Sequence, residues 1–165
     1  MTKSKIILFI ICFLLWSALS WAVDLEHIIA GILCSALVAA VTGDLFTANP
    51  DKFTHPPRYF WFAVYLPVFA WEMFKANLDV AFRLLSPKLP IRPGIVKIKT
   101  NLKSDSGLTF LANSITLTPG TTTIDIDKEN GFLYVHWLNV KSEDIDEATR
   151  LIAGKYEKIL DRIFE

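Results

Sequence analysis

Glu72, Lys75, Asp79 and Arg83 are separated by three, four and four residues. On an α-helix that spacing aligns them along one face with alternating sign. Aromatic and apolar residues precede Glu72 closely, in a hydrophobic segment running from Tyr59 to Phe82. An ionisable group at membrane depth is costly, and such groups line proton paths or pair with charges on a neighbouring protein. Glu72 therefore carries two readings. In one it relays protons directly. In the other, Glu72 and Lys75 neutralise each other where the helix meets the headgroups, or serve packing between subunits. All four residues are candidate subunit-interface or proton-linked charges.

The rest of the chain offers little other chemistry. Asp24 and Glu26 read as interfacial loop residues, and His136 as a packed or exposed strand residue beside Trp137. The glycines at 94, 107, 120 and 131 lack a phosphate-binding spacing. Ser106 and Ser114 lack the context of a nucleophile elbow. Cys12 and Cys34 are the only cysteines, both in apolar segments. They have no His or Cys partner at metal-ligand spacing, so they read as small apolar residues. Neither a metal, nor a cofactor, nor an enzymatic activity is expected.

The elements that must position the charges follow from composition. The chain has 165 residues, 52% of them hydrophobic, and a formal net charge of zero. Charge neutrality argues against a nucleic-acid partner, since phosphate binding needs a concentrated basic surface. The apolar residues are concentrated at the start. The organisation expected is a hydrophobic transmembrane region over 1–85, a proline-rich linker over 86–94, and a soluble α/β domain over 95–165. The fold class is thus an α-helical membrane half of two to three hydrophobic helices plus a small β-α-β-β-α domain.

The first apolar run, Ile6 to Val23, is too long for a signal-peptide core, carries Trp16 and Trp21 near its end, and is followed at once by another apolar segment. It reads as a retained membrane helix. The second run, Ile28 to Val41, is short for a crossing unless its flanks help. Gly31, Ser35, Ala36, Ala39 and Ala40 would let helices approach closely in lipid. Gly43 to Arg58 reads as a loop, with Asn49-Pro50 and His55-Pro56-Pro57 as its turn signals. Tyr59 to Phe82 is the third segment, and Pro67 inside it predicts a kink.

After the linker, Ile95 to Lys99 has strand character. Leu108, Leu111, Ala112 and Ile115 recur at helical spacing behind a cap at Ser104 to Ser106. Thr118-Pro119-Gly120-Thr121 is a turn, and Asn130-Gly131 joins the strands Thr122–Ile126 and Phe132–Leu138. A final helix capped by Ser142, with Glu143 and Asp144 in its first turn, carries one apolar stripe from Ile145 to Ile163. Two helices on one face of a three-stranded sheet would bury both stripes.

Two stretches carry a resemblance: Leu111-Ala112-Asn113-Ser114-Ile115-Thr116-Leu117-Thr118-Pro119-Gly120-Thr121, and Leu133-Tyr134-Val135-His136-Trp137-Leu138. With the order of parts, they make the chain similar to the E-type subunits of the Mrp/Mnh family of multisubunit Na+/H+ (cation/proton) antiporters. The resemblance covers essentially the whole chain. It implies a non-catalytic accessory subunit in the cell membrane, with the other subunits and the lipid bilayer as its partners. It carries no catalytic residue to this chain. Related subunits occur in membrane-bound hydrogenase assemblies, which is the alternative host. A membrane-tethered binding module is a further alternative and would need a concave pocket with converging polar groups.

The basic residues Arg83, Lys88, Arg92, Lys97, Lys99 and Lys103 follow the third segment. They outweigh Lys3 and Lys5, so three crossings would place the C-terminal domain in the cytoplasm and the start of the chain outside. Lys52 and Arg58 oppose that arrangement. A re-entrant hairpin, with both ends cytoplasmic, is the alternative.

Overall fold

A computed structural model of the chain describes residues 3–21, 24–46 and 55–165. Contacts divide it into two compact units, Met1–His55 and Pro56–Glu165.

The first unit is a pair of packed helices, α1 (Lys3–Ser20) and α2 (Leu25–Phe46). Both are long and apolar enough to cross a membrane. Most of their large side chains are exposed, among them Ile10, Leu14, Leu33 and Leu37. That is the expected state of helices whose solvent is lipid rather than a protein core. α2 is longer than the apolar run within it, because Leu25 to His27 and Thr42 to Phe46 are helical as well. Small residues let the pair close up. A Cβ on Gly31 would lie 2.6 Å from Trp16 Cδ1, so the indole occupies the space a side chain would need. The same indole donates to His27 O at 3.0 Å. Ser4 donates to Gly43 O at the opposite end, and Lys5 pairs with Asp44 at 2.8 Å. Gly43 is thus helical and part of the hairpin rather than of the expected loop. The Asn49-Pro50 turn, Lys52 and the end of the first apolar run at Val23 lie outside the described residues.

The second unit begins with α3 (Pro56–Leu85). Pro56 and Pro57 open the helix instead of closing a loop, because proline fits the first turn, where no N–H is needed. The helix continues through Pro67, which is exposed. The linker is less extended than its three prolines suggest. Leu89 N bonds Ser86 O at 2.9 Å and Ile91 N bonds Leu89 O at 2.7 Å, and only Arg92 reaches an extended bridge, to Asn139.

The sheet is antiparallel, in the order β1-β3-β2, formed by β1 (Gly94–Lys99), β2 (Thr121–Asp127) and β3 (Phe132–Trp137). The register Val96↔Val135 and Ile98↔Leu133 puts these four on one buried face. Lys97 lies on the other face, its Nζ 3.7 Å from the Phe132 ring centroid. Asn130 donates from its backbone and side chain to the Asp127 carboxylate, and Gly131 takes φ +71°, which closes the hairpin. Those side-chain and backbone hydrogen bonds from Asn130 hold the Asp127 carboxyl below its ordinary value.

Against the buried face lie α4 (Asp105–Leu117), α5 (Ile145–Ile152) and α6 (Gly154–Phe164). Ser104 caps α4 by accepting from Gly107 N at 3.1 Å. The expected final helix is two helices, broken at Ala153-Gly154. Its cap is Asp144, which accepts from Glu147 N at 2.9 Å, while Ser142 only braces Asp144 N. A carboxylate there also meets the positive end of the helix dipole. The break costs no burial, since Ile152, Ala153, Tyr156, Leu160 and Ile163 all remain in the core.

α3 adds a further layer. Trp61, Phe62, Tyr65 and Phe69 pack on the α4–α6 core, with Phe62 against Phe110 and Phe69 against Tyr156. The hydrophobic segment assigned by sequence to the membrane region thus belongs by contacts to the sheet-bearing unit. α3 is not among the helices apolar enough to cross a membrane by length and composition.

Candidate functional site

α3 and α6 run alongside each other in opposite directions. Arg58 donates to Ile163 O at one end, the Arg162 guanidinium sits 4.2 Å from the Trp61 ring centroid, and Lys155 reaches Glu72 at the other end. This packing brings the charges of α3 onto the face turned toward the rest of the unit.

Glu72 is the most enclosed of the four, with 15% of its side chain exposed. One carboxylate oxygen accepts from Lys75 Nζ at 2.5 Å and the other from Lys155 Nζ at 2.5 Å. Both oxygens of the anion are therefore engaged by cations of the same chain. Further along the helix, Asp79 accepts two bonds from Arg83, at 2.7 and 3.0 Å, and Arg83 also donates to Pro90 O at 2.9 Å. Arg83 thereby ties the end of α3 to the linker. Its hydrogen bond with Asp79 raises the guanidinium above its ordinary value.

A cleft of about 300 Å³ opens beside these charges, lined by Glu72, Lys75, Asp79, Lys141, Lys155 and Tyr156. Within it Glu72 is held by Lys75 and Lys155, and the Tyr156 hydroxyl by Thr118. No group of three or more potential metal ligands occurs among the described residues. Cys12 and Cys34 are free thiols in the first unit.

Sequence spacing identified the face of α3 but missed Lys155, which lies 83 positions away. The available signal was a lysine beside Tyr156 at the edge of an otherwise apolar stripe. The hydroxyl-rich stretch from Asn113 to Thr121 was legible as a helix end and a turn, and its partners were not. Ser114 Oγ, fully buried, lies 2.7 Å from the Tyr65 hydroxyl of α3. Thr118 Oγ1 donates to Ser114 O at 2.7 Å and lies 3.1 Å from the Tyr156 hydroxyl of α6. Thr121 Oγ1 donates to Ile115 O at 2.7 Å. These hydroxyls satisfy the orphan carbonyls at the end of α4 and connect three helices through polar contacts inside the core. Burial pushes the Tyr156 hydroxyl above its ordinary value, and the nearby Glu72 charge adds to the shift.

A family model described as Na+/H+ ion antiporter subunit matches residues 9–163. Among curated relatives, the Na+/H+ antiporter E subunit of Bacillus subtilis (strain 168) is 41% identical over 96 residues, covering 58% of this chain and 60% of that protein. The chain therefore spans about three fifths of the length of that relative. The Na+/H+ antiporter E1 subunit of Staphylococcus haemolyticus is 28% identical over 166 residues, 98% of each protein. A chain in the structure of the membrane-bound sulfane sulfur reductase, an archaeal respiratory membrane complex, superposes with a TM-score of 0.85 and 42% identity, over 98% of this chain and 99% of that one.

Proposed function

Since this chain belongs to the Na+/H+ ion antiporter subunit family, we propose that it is the accessory, E-type component of a multisubunit monovalent cation/proton antiporter in the cell membrane. It holds other subunits in place and carries neither an ion path nor an enzymatic site of its own. One observation carries this reading. Between Ile6 and Ser20 of α1, and between Ile28 and Gly43 of α2, there is no Asp, Glu, Lys, Arg or His. Proton and ion routes through lipid need chains of such groups. Those present on α3 are already paired within the chain, Glu72 with two lysines and Asp79 with Arg83. What the two apolar helices offer instead is small residues and exposed side chains for packing against lipid and neighbouring helices.

The test is to delete the chain from its host and follow both assembly and exchange. Native gels should show the complex falling apart, and everted vesicles should lose cation/proton exchange with it. Restoring the chain with Glu72→Gln should recover exchange to within about twofold of the parent. Exchange abolished by Glu72→Gln in a fully assembled complex would establish direct ion handling instead.

A second host is favoured by one observation: the match to a chain of an archaeal respiratory membrane complex extends over nearly the full length of both chains. In that reading the chain plays the same accessory part beside redox subunits. Mass identification of the proteins that copurify in mild detergent separates the two.

A further inference from the structure

We propose that the cleft beside Glu72 binds a small phosphomonoester, its phosphate held by Lys75, Lys141 and Lys155 and its organic part laid against Trp137. The inference goes beyond the accessory role and does not depend on which complex hosts the chain. The cleft measures about 300 Å³, at the lower end of small-ligand sites. The three lysines come from three elements: α3, the segment after β3, and α6. Of the two carboxylates in the lining, Asp79 already accepts two bonds from Arg83. Three ammonium groups therefore share one remaining carboxylate, Glu72, and the cleft carries a surplus of positive charge.

The arrangement leaves donors for a guest. Glu72 is the enclosed partner, with 15% of its side chain exposed, whereas the side chains of Lys75 and Lys155 are 44% and 50% exposed. Each lysine gives Glu72 one hydrogen bond, and an ammonium group has three to give. Glu72 thus anchors two ammonium groups without exhausting them. Lys141 is exposed and forms no ion pair among the described residues, although its charge reaches Asp79. A phosphomonoester brings close to two negative charges and three strong acceptor oxygens at neutral pH, one for each ammonium group. The other wall of the cleft is apolar, formed by Ile115, Pro119, Trp137 and Ile152. The indole N–H of Trp137 and the carboxamide of Asn139 have no hydrogen-bond partner among the described residues, so both are available to a ligand. A purely inorganic anion would leave the apolar wall unused, and a divalent cation would meet charge of its own sign.

The experiment uses the full chain in mild detergent, with isotope-labelled tryptophan observed by nuclear magnetic resonance and phenyl phosphate as the probe. Trp137→Phe assigns the indole resonance of Trp137. The expected result is a saturable shift of that resonance, while the resonance of Trp16 in the other unit stays still. Phenol, the same ring without the phosphate, should move neither. Lys141→Ala should weaken binding about tenfold, the loss of one charge-assisted hydrogen bond. Lys141→Arg, which keeps the charge, should restore most of it. Lys141 is exposed, so both variants should keep the circular dichroism of the parent. A Trp137 resonance that phenyl phosphate leaves in place, or that phenol moves as far, overturns the proposal. So does a folded Lys141→Ala chain that binds as tightly as the parent. Inorganic phosphate binding as tightly as phenyl phosphate overturns the phosphomonoester in favour of the free anion.

Discussion

Tyr156 shows how one side chain can hold a polar network inside an apolar core. Its ring lies against Phe69 of α3, and its hydroxyl meets Thr118 at the end of α4. Removing only the hydroxyl, with Tyr156→Phe, should cost about 1 kcal/mol at neutral pH, the usual net worth of a buried hydrogen bond. The pH dependence has a definite sign. Burial raises the folded-state value of this phenol above the unfolded one. The neutral hydroxyl therefore contributes fully below about pH 10, and its contribution fades as pH rises through the folded-state value. The difference in melting temperature between parent and Tyr156→Phe should narrow above about pH 10. A gap that stays constant well into the alkaline range would remove the phenol from this role. The serine and threonine pattern announced a structured helix end in the sequence. Only the fold shows that Tyr65 and Tyr156, 49 and 38 positions from their partners, complete it.

At the level of elements, close approach in α1–α2 rests on absent side chains rather than on strong bonds. Gly31 is the sharpest case, because the Trp16 indole fills the position of its missing Cβ. Gly31→Ala should destabilise the helix pair by about 1–3 kcal/mol through overpacking, read as a lower melting temperature of the detergent-purified chain. Combining it with Trp16→Ala should remove the clash, so the two changes together should cost less than their sum. A neutral Gly31→Ala in the parent would show that Trp16 does not sit there. The small-residue pattern in this segment was visible from sequence. The extension of α2 to Phe46 was not, because Thr42, Gly43 and Asp44 are poor helix formers in water and read as a boundary there. Intramolecular satisfaction of the backbone in lipid outweighs those propensities.

At the scale of the whole chain, the division into units decides what can fold alone. The sheet-bearing unit includes α3, whose aromatic residues complete its core. A protease site engineered into residues 47–55 should release a Pro56–Glu165 fragment that keeps its far-ultraviolet circular dichroism and its cooperative melting in mild detergent. Cutting after residue 85 instead should expose Phe110 and Tyr156, which Phe62 and Phe69 cover, and lower the melting temperature sharply. Equal stability of the two fragments would detach α3 from the core.

Much of this protein was settled by the order of its residues. Hydropathy alone located two lipid-solvated helices, period-two and period-3.6 patterns located the sheet and its helices, and Asn130-Gly131 located the hairpin, because each is a local property of a short stretch. Tertiary structure decided which side of α3 the sheet-bearing unit covers. Its sequence reads as a third hydrophobic segment, yet one side packs on α4 and α6, and Glu72 turns to Lys155 of α6. The allegiance of an amphipathic helix depends on what covers its second face, and that is set by residues such as Lys155, Tyr156 and Arg162 far along the chain.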